Sequence, residues 1–119
     1  MAAVRDLNST PEAAQLVSKE GGYTYLDVRS PQEFQSGHAP GAVNVPWALQ
    51  SPAGMTPNTA FLATVKEQFP NKAHPLMVAC LKGGRSTAAC AVLKEEYSDL
   101  VNYRPSWEGW TAAQLPVEK

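Results

Sequence analysis

Position 80 is a cysteine that directly follows the apolar run Leu76-Met77-Val78-Ala79. The next six residues complete the stretch Cys80-Leu81-Lys82-Gly83-Gly84-Arg85-Ser86. Gly83 and Gly84 open backbone conformations closed to other residues, so the peptide after Cys80 can curl and aim several N–H groups at one spot. A helix starting near Ser86 directs its positive end at the same spot. Together with Lys82 and Arg85 this favours thiolate over thiol, and a thiolate held in such a cradle is a nucleophile. A lone cysteine after an apolar strand would read as core. Two glycines, two cations and a helix start within six positions set Cys80 apart. Cys90 has no such company: at about 1.5 Å of rise per helical residue it lies too far along for a bridge to Cys80, and it reads as core.

The elements that must place Cys80 follow from punctuation and periodicity. Asn8-Ser9-Thr10-Pro11 is a cap with a first-turn proline, ahead of a helix with Ala13, Leu16 and Val17 on one face and Gly21-Gly22 at its end. Tyr23 to Val28 alternates as a strand. Ser30-Pro31-Gln32-Glu33 is a capping box opening a short helix that stops near Gly37. Ala42 to Val45 reads as a short strand, Pro46 to Pro57 as a long loop, and Thr56-Pro57 as the start of a helix carrying Phe61, Leu62, Val65 and Phe69. Leu76 to Ala79 is a buried strand, Ser86 to Tyr97 a helix, and Leu100 to Tyr103 a last short strand. Strands alternating with helices predict an α/β domain with a central parallel sheet covered on both faces. Sites in such sheets lie outside the carboxyl ends of the strands, where Cys80 is placed.

Length and composition exclude several classes. A chain of 119 residues with 44% hydrophobic and 18% charged residues is expected to form one soluble domain spanning 1–119. The net charge of −1 argues against a nucleic-acid face. No apolar run approaches the roughly 18 residues of a membrane span. The segment MAAVRDLNST carries neither a signal h-region nor a Ser/Arg-rich transit segment, so a mature protein of a reducing, cytoplasmic compartment is expected, with the chloroplast as the alternative if a transit peptide has been removed. Two cysteines at no metal-ligand spacing predict neither a disulfide framework nor a metal site, and no cofactor is expected.

Two stretches together resemble a known family. Cys80 to Ser86 matches the C-x-x-G-x-R-[ST] loop of rhodanese-like sulfurtransferases. Upstream, Asp27-Val28-Arg29-Ser30-Pro31-Gln32-Glu33-Phe34 and Gly37-His38-Ala39-Pro40-Gly41-Ala42-Val43-Asn44-Val45-Pro46 is similar to that family's D-V-R-[ST]-P-x-E-[FY]-x-x-G-H-I-x-G-A-x-N-[ILV]-P segment. Gly54-Met55-Thr56, read as a loop leading into a helix, is similar to the plant-type, senescence-associated single-domain members. There are departures: Ala39 replaces the usual isoleucine, and in Arg104-Pro105-Ser106-Trp107-Glu108-Gly109-Trp110, read as a loop beside the site, the residues Pro105 and Ser106 replace a pair of glycines.

The resemblance implies a rhodanese-like fold of about five parallel strands and a sulfurtransferase that carries sulfane sulfur as a persulfide on Cys80. The donor would be thiosulfate or a relative. The acceptor would be cyanide, glutathione or another thiol, including a thiol protein such as thioredoxin. Lys82 and Arg85 would bind the donor's oxygens, with Leu81, Gly83, Gly84 and Ser86 lining the cradle. Arg85 could equally lock the loop by pairing with Glu33. Asp27 is expected to orient the active loop by accepting its hydrogen bonds, or else to cap a helix. Arg29 is expected to pair with Glu33 on the same short helix, or else to reach the pocket. His38 reads as a hydrogen-bonded fold residue, His74 as exposed loop, and Trp47, Trp107 and Trp110 as pocket wall or packing. Phosphatases and arsenate reductases of the same fold carry five residues between cysteine and arginine, whereas this chain has four, Leu81 to Gly84. A non-catalytic module of the fold commonly lacks the cysteine.

Overall fold

Side chains alternate across a strand, and three central strands here bury both of their faces. In the computed structural model, which describes residues 4–119, these strands are β2 (Thr24–Asp27), β6 (Leu76–Ala79) and β7 (Leu100–Tyr103). The first three residues of the N-terminal segment read above lie outside it. Leu26, Leu76, Val78 and Leu100 point to one face, joining Phe61, Val65, Ala89, Cys90, Leu93 and Tyr97. Tyr25, Met77, Val101 and Tyr103 point to the other, joining Leu7, Ala13 and Trp110. Each fully buried aliphatic side chain contributes about 1.5–3 kcal/mol, so the two half-cores hold the sheet from both sides.

The sheet has five strands, all parallel, in the order β1-β7-β6-β2-β3, with β1 at Val4–Leu7 and β3 at Val43–Asn44. Among the described residues, five helices flank or close it: α1 (Thr10–Leu16), α2 (Pro31–Ser36), α3 (Phe61–Gln68), α4 (Gly84–Leu93) and α5 (Ser106–Ala112). The expected α/β sheet of about five strands is therefore present. The start signals act as read: the Ser9 hydroxyl accepts the Glu12 N–H, and Ser30 with Glu33 forms a reciprocal capping box ahead of Pro31.

Several expectations are corrected. The stretch from 46 to 57 is not a loop but holds an antiparallel hairpin, β4 (Ala48–Ser51) with β5 (Gly54–Pro57), so Gly54-Met55-Thr56 lies in a strand. Thr56-Pro57 consequently does not start the next helix, which begins at Phe61 after Asn58 Oδ1 accepts the Ala60 N–H. The helix after the active loop ends at Leu93, four residues earlier than read, because Tyr97 turns inward to donate its hydroxyl to the Phe69 carbonyl at 2.6 Å. Two elements were not read at all. β1 is an edge strand with the exposed residues Arg5 and Asp6, and α5 occupies the stretch taken as a loop. His74 is half-buried rather than exposed, its Nε2 2.8 Å from the Thr24 hydroxyl.

Candidate active site

β6 ends at Ala79, and Cys80 is the first residue beyond it, 2% exposed. The chain then turns through Gly83, whose φ is 105°, before α4 begins at Gly84. A Cβ at Gly83 would stand 2.8 Å from the Arg104 carbonyl oxygen, so both the conformation and the space require glycine there. Gly84 needs no such allowance: its φ is not positive and nothing lies within 4 Å of the position a Cβ would take, which corrects the expectation that both glycines shape the turn.

The turn brings the Gly83 N–H to 3.1 Å from Cys80 Sγ and the Ser86 N–H to 3.4 Å. Burial pushes the Cys80 thiol up, but the Ser86 N–H and hydroxyl and the N–H groups of Gly83 and Lys82 together outweigh it and hold the thiol below its ordinary value. At Cys90 burial comes first, the charges of Asp6 and Cys80 push the same way, and no backbone donor opposes them, so its thiol is pushed up to about 12. The two sulfurs, one in the loop ahead of α4 and one within α4, thus differ in reactivity because only Cys80 is fed by backbone donors.

The loop's carbonyls are held by α5. The Trp107 N–H donates to the Cys80 carbonyl at 2.9 Å and the Glu108 N–H to the Leu81 carbonyl at 3.1 Å. The Ser106 hydroxyl accepts the Cys80 N–H at 3.1 Å. Beneath α4, buried Asn102 of β7 accepts from the Ser86 hydroxyl at 2.9 Å and donates to the Thr87 hydroxyl at 2.9 Å. Sequence reasoning missed both Ser106 and Asn102. A polar residue inside the otherwise apolar Leu100–Tyr103 strand was the signal for Asn102.

Arg85 forms a two-point ion pair with Glu33, Nη1 to Oε1 at 2.7 Å and Nη2 to Oε2 at 3.0 Å. This pair ties α4 to the capping box of α2. Lys82 is largely exposed, and its Nζ lies 3.9 Å from Glu108 Oε2. Leu81 lies in the same loop, and Ser86 is wholly buried. Two expectations for the upstream motif are corrected. Asp27 accepts no bond from the active loop; its carboxylate takes the Arg29 N–H, Nε–H and Nη2–H. Arg29 pairs with Asp27 and not Glu33, because its side chain folds back beneath the loop and donates to the Gly37 carbonyl at 2.8 Å. Its guanidinium also lies 4.8 Å from the Trp107 ring centre.

His38 donates from Nδ1 to the Phe34 carbonyl at 2.8 Å and stacks on the Phe34 ring. Trp110 packs edge-on against Tyr25, and Trp47 against Phe61. Of the three tryptophans, Trp107 is the one bonded to the active loop.

The Glu33 carboxyl is held at about 2, first by its hydrogen bonds from Arg85, with burial opposing and Ser30 assisting. The folded state therefore binds that proton more weakly than the unfolded chain, whose value is 4.5. The pair's stabilisation is complete above the unfolded value and drains as pH falls toward about 2. Urea titrations over that acid range should show a loss of stability in the wild type that Glu33→Gln has already suffered at neutral pH. Parallel curves for the two proteins would contradict this.

Comparison with known proteins accords with this geometry. The Rhodanese-like domain family matches residues 9–113. Senescence-associated protein DIN1 of Raphanus sativus is 34% identical over 119 residues, covering 99% of this chain and 64% of that protein. The chain thus spans about two-thirds of that relative's length. Thiosulfate sulfurtransferase 16, chloroplastic, of Arabidopsis thaliana is 36% identical over 98 residues, covering 82% of this chain and 81% of that protein. Among solved structures, Rv0390 from M. tuberculosis superposes with a TM-score of 0.78 at 25% identity, covering 99% of this chain and 98% of that one.

Proposed function

The chain belongs to the rhodanese-like domain family, and from that premise we propose that it is a sulfurtransferase that takes sulfane sulfur from thiosulfate and carries it as a persulfide on Cys80. The observation that carries this reading is the pair of backbone N–H groups aimed at Cys80 Sγ. The Cys80 thiolate attacks the outer sulfur of thiosulfate with its electron pair. A bond forms between Sγ and that sulfur, the donor's S–S bond breaks, and sulfite leaves with the bonding pair. Cyanide or a thiolate then attacks the outer sulfur and Cys80 departs as thiolate, ready for another cycle. The cradle N–H groups stabilise the negative sulfur at both ends of the cycle without moving a proton.

Arg85 supports sulfur transfer over phosphate hydrolysis. Its two outer nitrogens are occupied by Glu33, so it is engaged in ordering the loop and is not free to take a tetrahedral oxyanion. The loop of four residues between Cys80 and Arg85 also leaves a small cradle. Turnover of thiosulfate, mercaptopyruvate and an aryl phosphate measured side by side tests the reading: thiosulfate is expected to dominate, and preferential release of phosphate would overturn it.

Lys82 is the cation that meets the donor's sulfonate oxygens. It is mostly open to water and stands opposite Glu108. Lys82→Ala is therefore expected to raise the thiosulfate KM by up to roughly fivefold, the equivalent of an exposed charge pair of about 0.2–1 kcal/mol. Mercaptopyruvate turnover should change much less. Equal effects on both donors would mean that the lysine shapes the loop instead. The acceptor is a small thiophile or a thiol protein of the thioredoxin kind. Among the described residues no helix is long and apolar enough to cross a membrane. The chloroplastic name of one relative favours the plastid over the cytoplasm as the compartment.

A further inference from the structure

Ser106 stands where the resembled motif has glycine, and it keeps a φ of 55°, a conformation that few residues other than glycine adopt. It is wholly buried. Its hydroxyl joins the ends of two strands: it accepts the Cys80 N–H at 3.1 Å and donates to the Tyr103 carbonyl at 2.9 Å. The same oxygen lies 3.9 Å from Cys80 Sγ. One hydroxyl proton serves one acceptor at a time, so the hydroxyl can stay on Tyr103 while Sγ is neutral and turn toward Sγ when it is charged.

We propose that Ser106 is a positioning residue for Cys80, its hydroxyl pinning the Cys80 N–H and thereby holding Sγ in register with the N–H groups of Gly83 and Ser86. The role in catalysis rests on the sulfurtransferase reading above; the effect on the sulfur itself does not. With glycine at 106 the Cys80 N–H has no partner from this residue, and the peptide that sets the direction of Sγ is free to tilt. A strained serine is retained at the site because it supplies that partner. The trapped persulfide also returns through Cys80 as a leaving thiolate, which departs faster when it is better stabilised. Ser106 therefore assists the acceptor step as well.

Ser106 variants are expected to leave the charged and titratable groups around Cys80 in place. They are Tyr25 and the Asp27–Arg29 pair from the β2 end, Arg85 with Glu33, Cys90 on α4, and Lys82 with Glu108 across the loop and α5.

The test is the pH dependence of alkylation of the full chain by iodoacetamide, with the adduct located by mass spectrometry and the fold followed by circular dichroism and thermal melting. Ser106→Ala keeps the strained backbone and removes the hydroxyl; Ser106→Gly removes both. Both variants are expected to shift the Cys80 alkylation midpoint upward and to slow alkylation at neutral pH by roughly three- to tenfold, the scale of one ordinary hydrogen bond lost. Ser106→Gly should melt no lower than Ser106→Ala, because it releases the strain, and it decides the question if the alanine variant fails to fold. A merely structural serine would lower the melting temperature and leave the alkylation midpoint where it is; that result in a folded variant overturns the proposal. Shifted alkylation in a protein whose wild type moves no sulfur from any donor would overturn the sulfurtransferase reading and leave the positioning role standing.

Discussion

Cys80→Ser is expected to abolish sulfur transfer altogether while leaving the fold in place. Oxygen forms no persulfide, so no residual route through position 80 exists. The fold survives because a serine hydroxyl in the same place accepts the Gly83 and Ser86 N–H groups that now meet Sγ, leaving no donor unpaired. Cys90→Ser reverses the pattern. Cys90 is buried among Leu93, Ala89 and other apolar residues, and its thiol is pushed up to about 12 by that burial. A hydroxyl there costs roughly 1–3 kcal/mol of stability, yet the folded protein should turn over at the wild-type rate. After incubation with thiosulfate, mass spectrometry should find one added sulfur, on Cys80. Sulfur on Cys90 alone, or undiminished turnover by Cys80→Ser, would remove Cys80 from the mechanism.

The sequence carried the central strands because nothing competes with their pattern. Leu76 to Ala79 and Leu100 to Tyr103 are short runs with both faces buried, and their bounds agree with those read. The Ser9 and Ser30 caps were legible because a side-chain oxygen just ahead of a helix accepts the N–H three residues on and so does its work locally. What escaped depends on distant partners. β1 exposes Arg5 and Asp6 and is a strand because it pairs with β7, almost a hundred positions away in the chain. The β4–β5 hairpin contains Pro52 and a half-exposed Met55, and so lacks the apolar alternation of a core strand. At the site, the nucleophile and its cradle are contiguous and could be read. The supports are not contiguous: Asn102 and Ser106 reach the loop from β7 and α5, and although a polar residue in an apolar strand marks Asn102, nothing local says which group it meets. Arg29 pairs with a carboxylate other than the expected one for a different reason, since Asp27 is only two residues back. Glu33 is one helical turn away in sequence, but the turn after β2 brings Asp27 closer.

That buried pair carries the largest expected stability effect. Asp27 is 1% exposed and Arg29 3%, and the guanidinium meets the carboxylate at 2.7 Å through Nη2 and 3.0 Å through Nε. Neighbouring groups brace the pair: Nη2 also donates to the Gly37 carbonyl, and the Asn44 amide donates to the backbone carbonyls of both Asp27 and Arg29 at 2.9 Å. Two charges taken out of water gain little over a well-packed apolar pair, but one charge left alone is costly. Arg29→Met, which keeps the length of the side chain, strands the Asp27 carboxylate and should lower the unfolding free energy by about 3–5 kcal/mol, a large part of the roughly 5–15 kcal/mol a domain possesses. Asp27→Asn should cost less. The guanidinium keeps Gly37 and the Trp107 face, and an amide oxygen still accepts one N–H. Pairing Arg29→Met with Asp27→Leu should recover part of the loss, since no charge then remains buried. Because the Trp107 N–H holds the Cys80 carbonyl, slack beneath the Trp107 ring should also reach the active loop, so Arg29→Met should turn over thiosulfate more slowly even where it is fully folded. Urea unfolding of the three variants measures the energies. An Arg29→Met protein within about 1 kcal/mol of wild type, the range of an exposed pair, would show that this ion pair is solvated in solution and that the turn after β2 is held by other means.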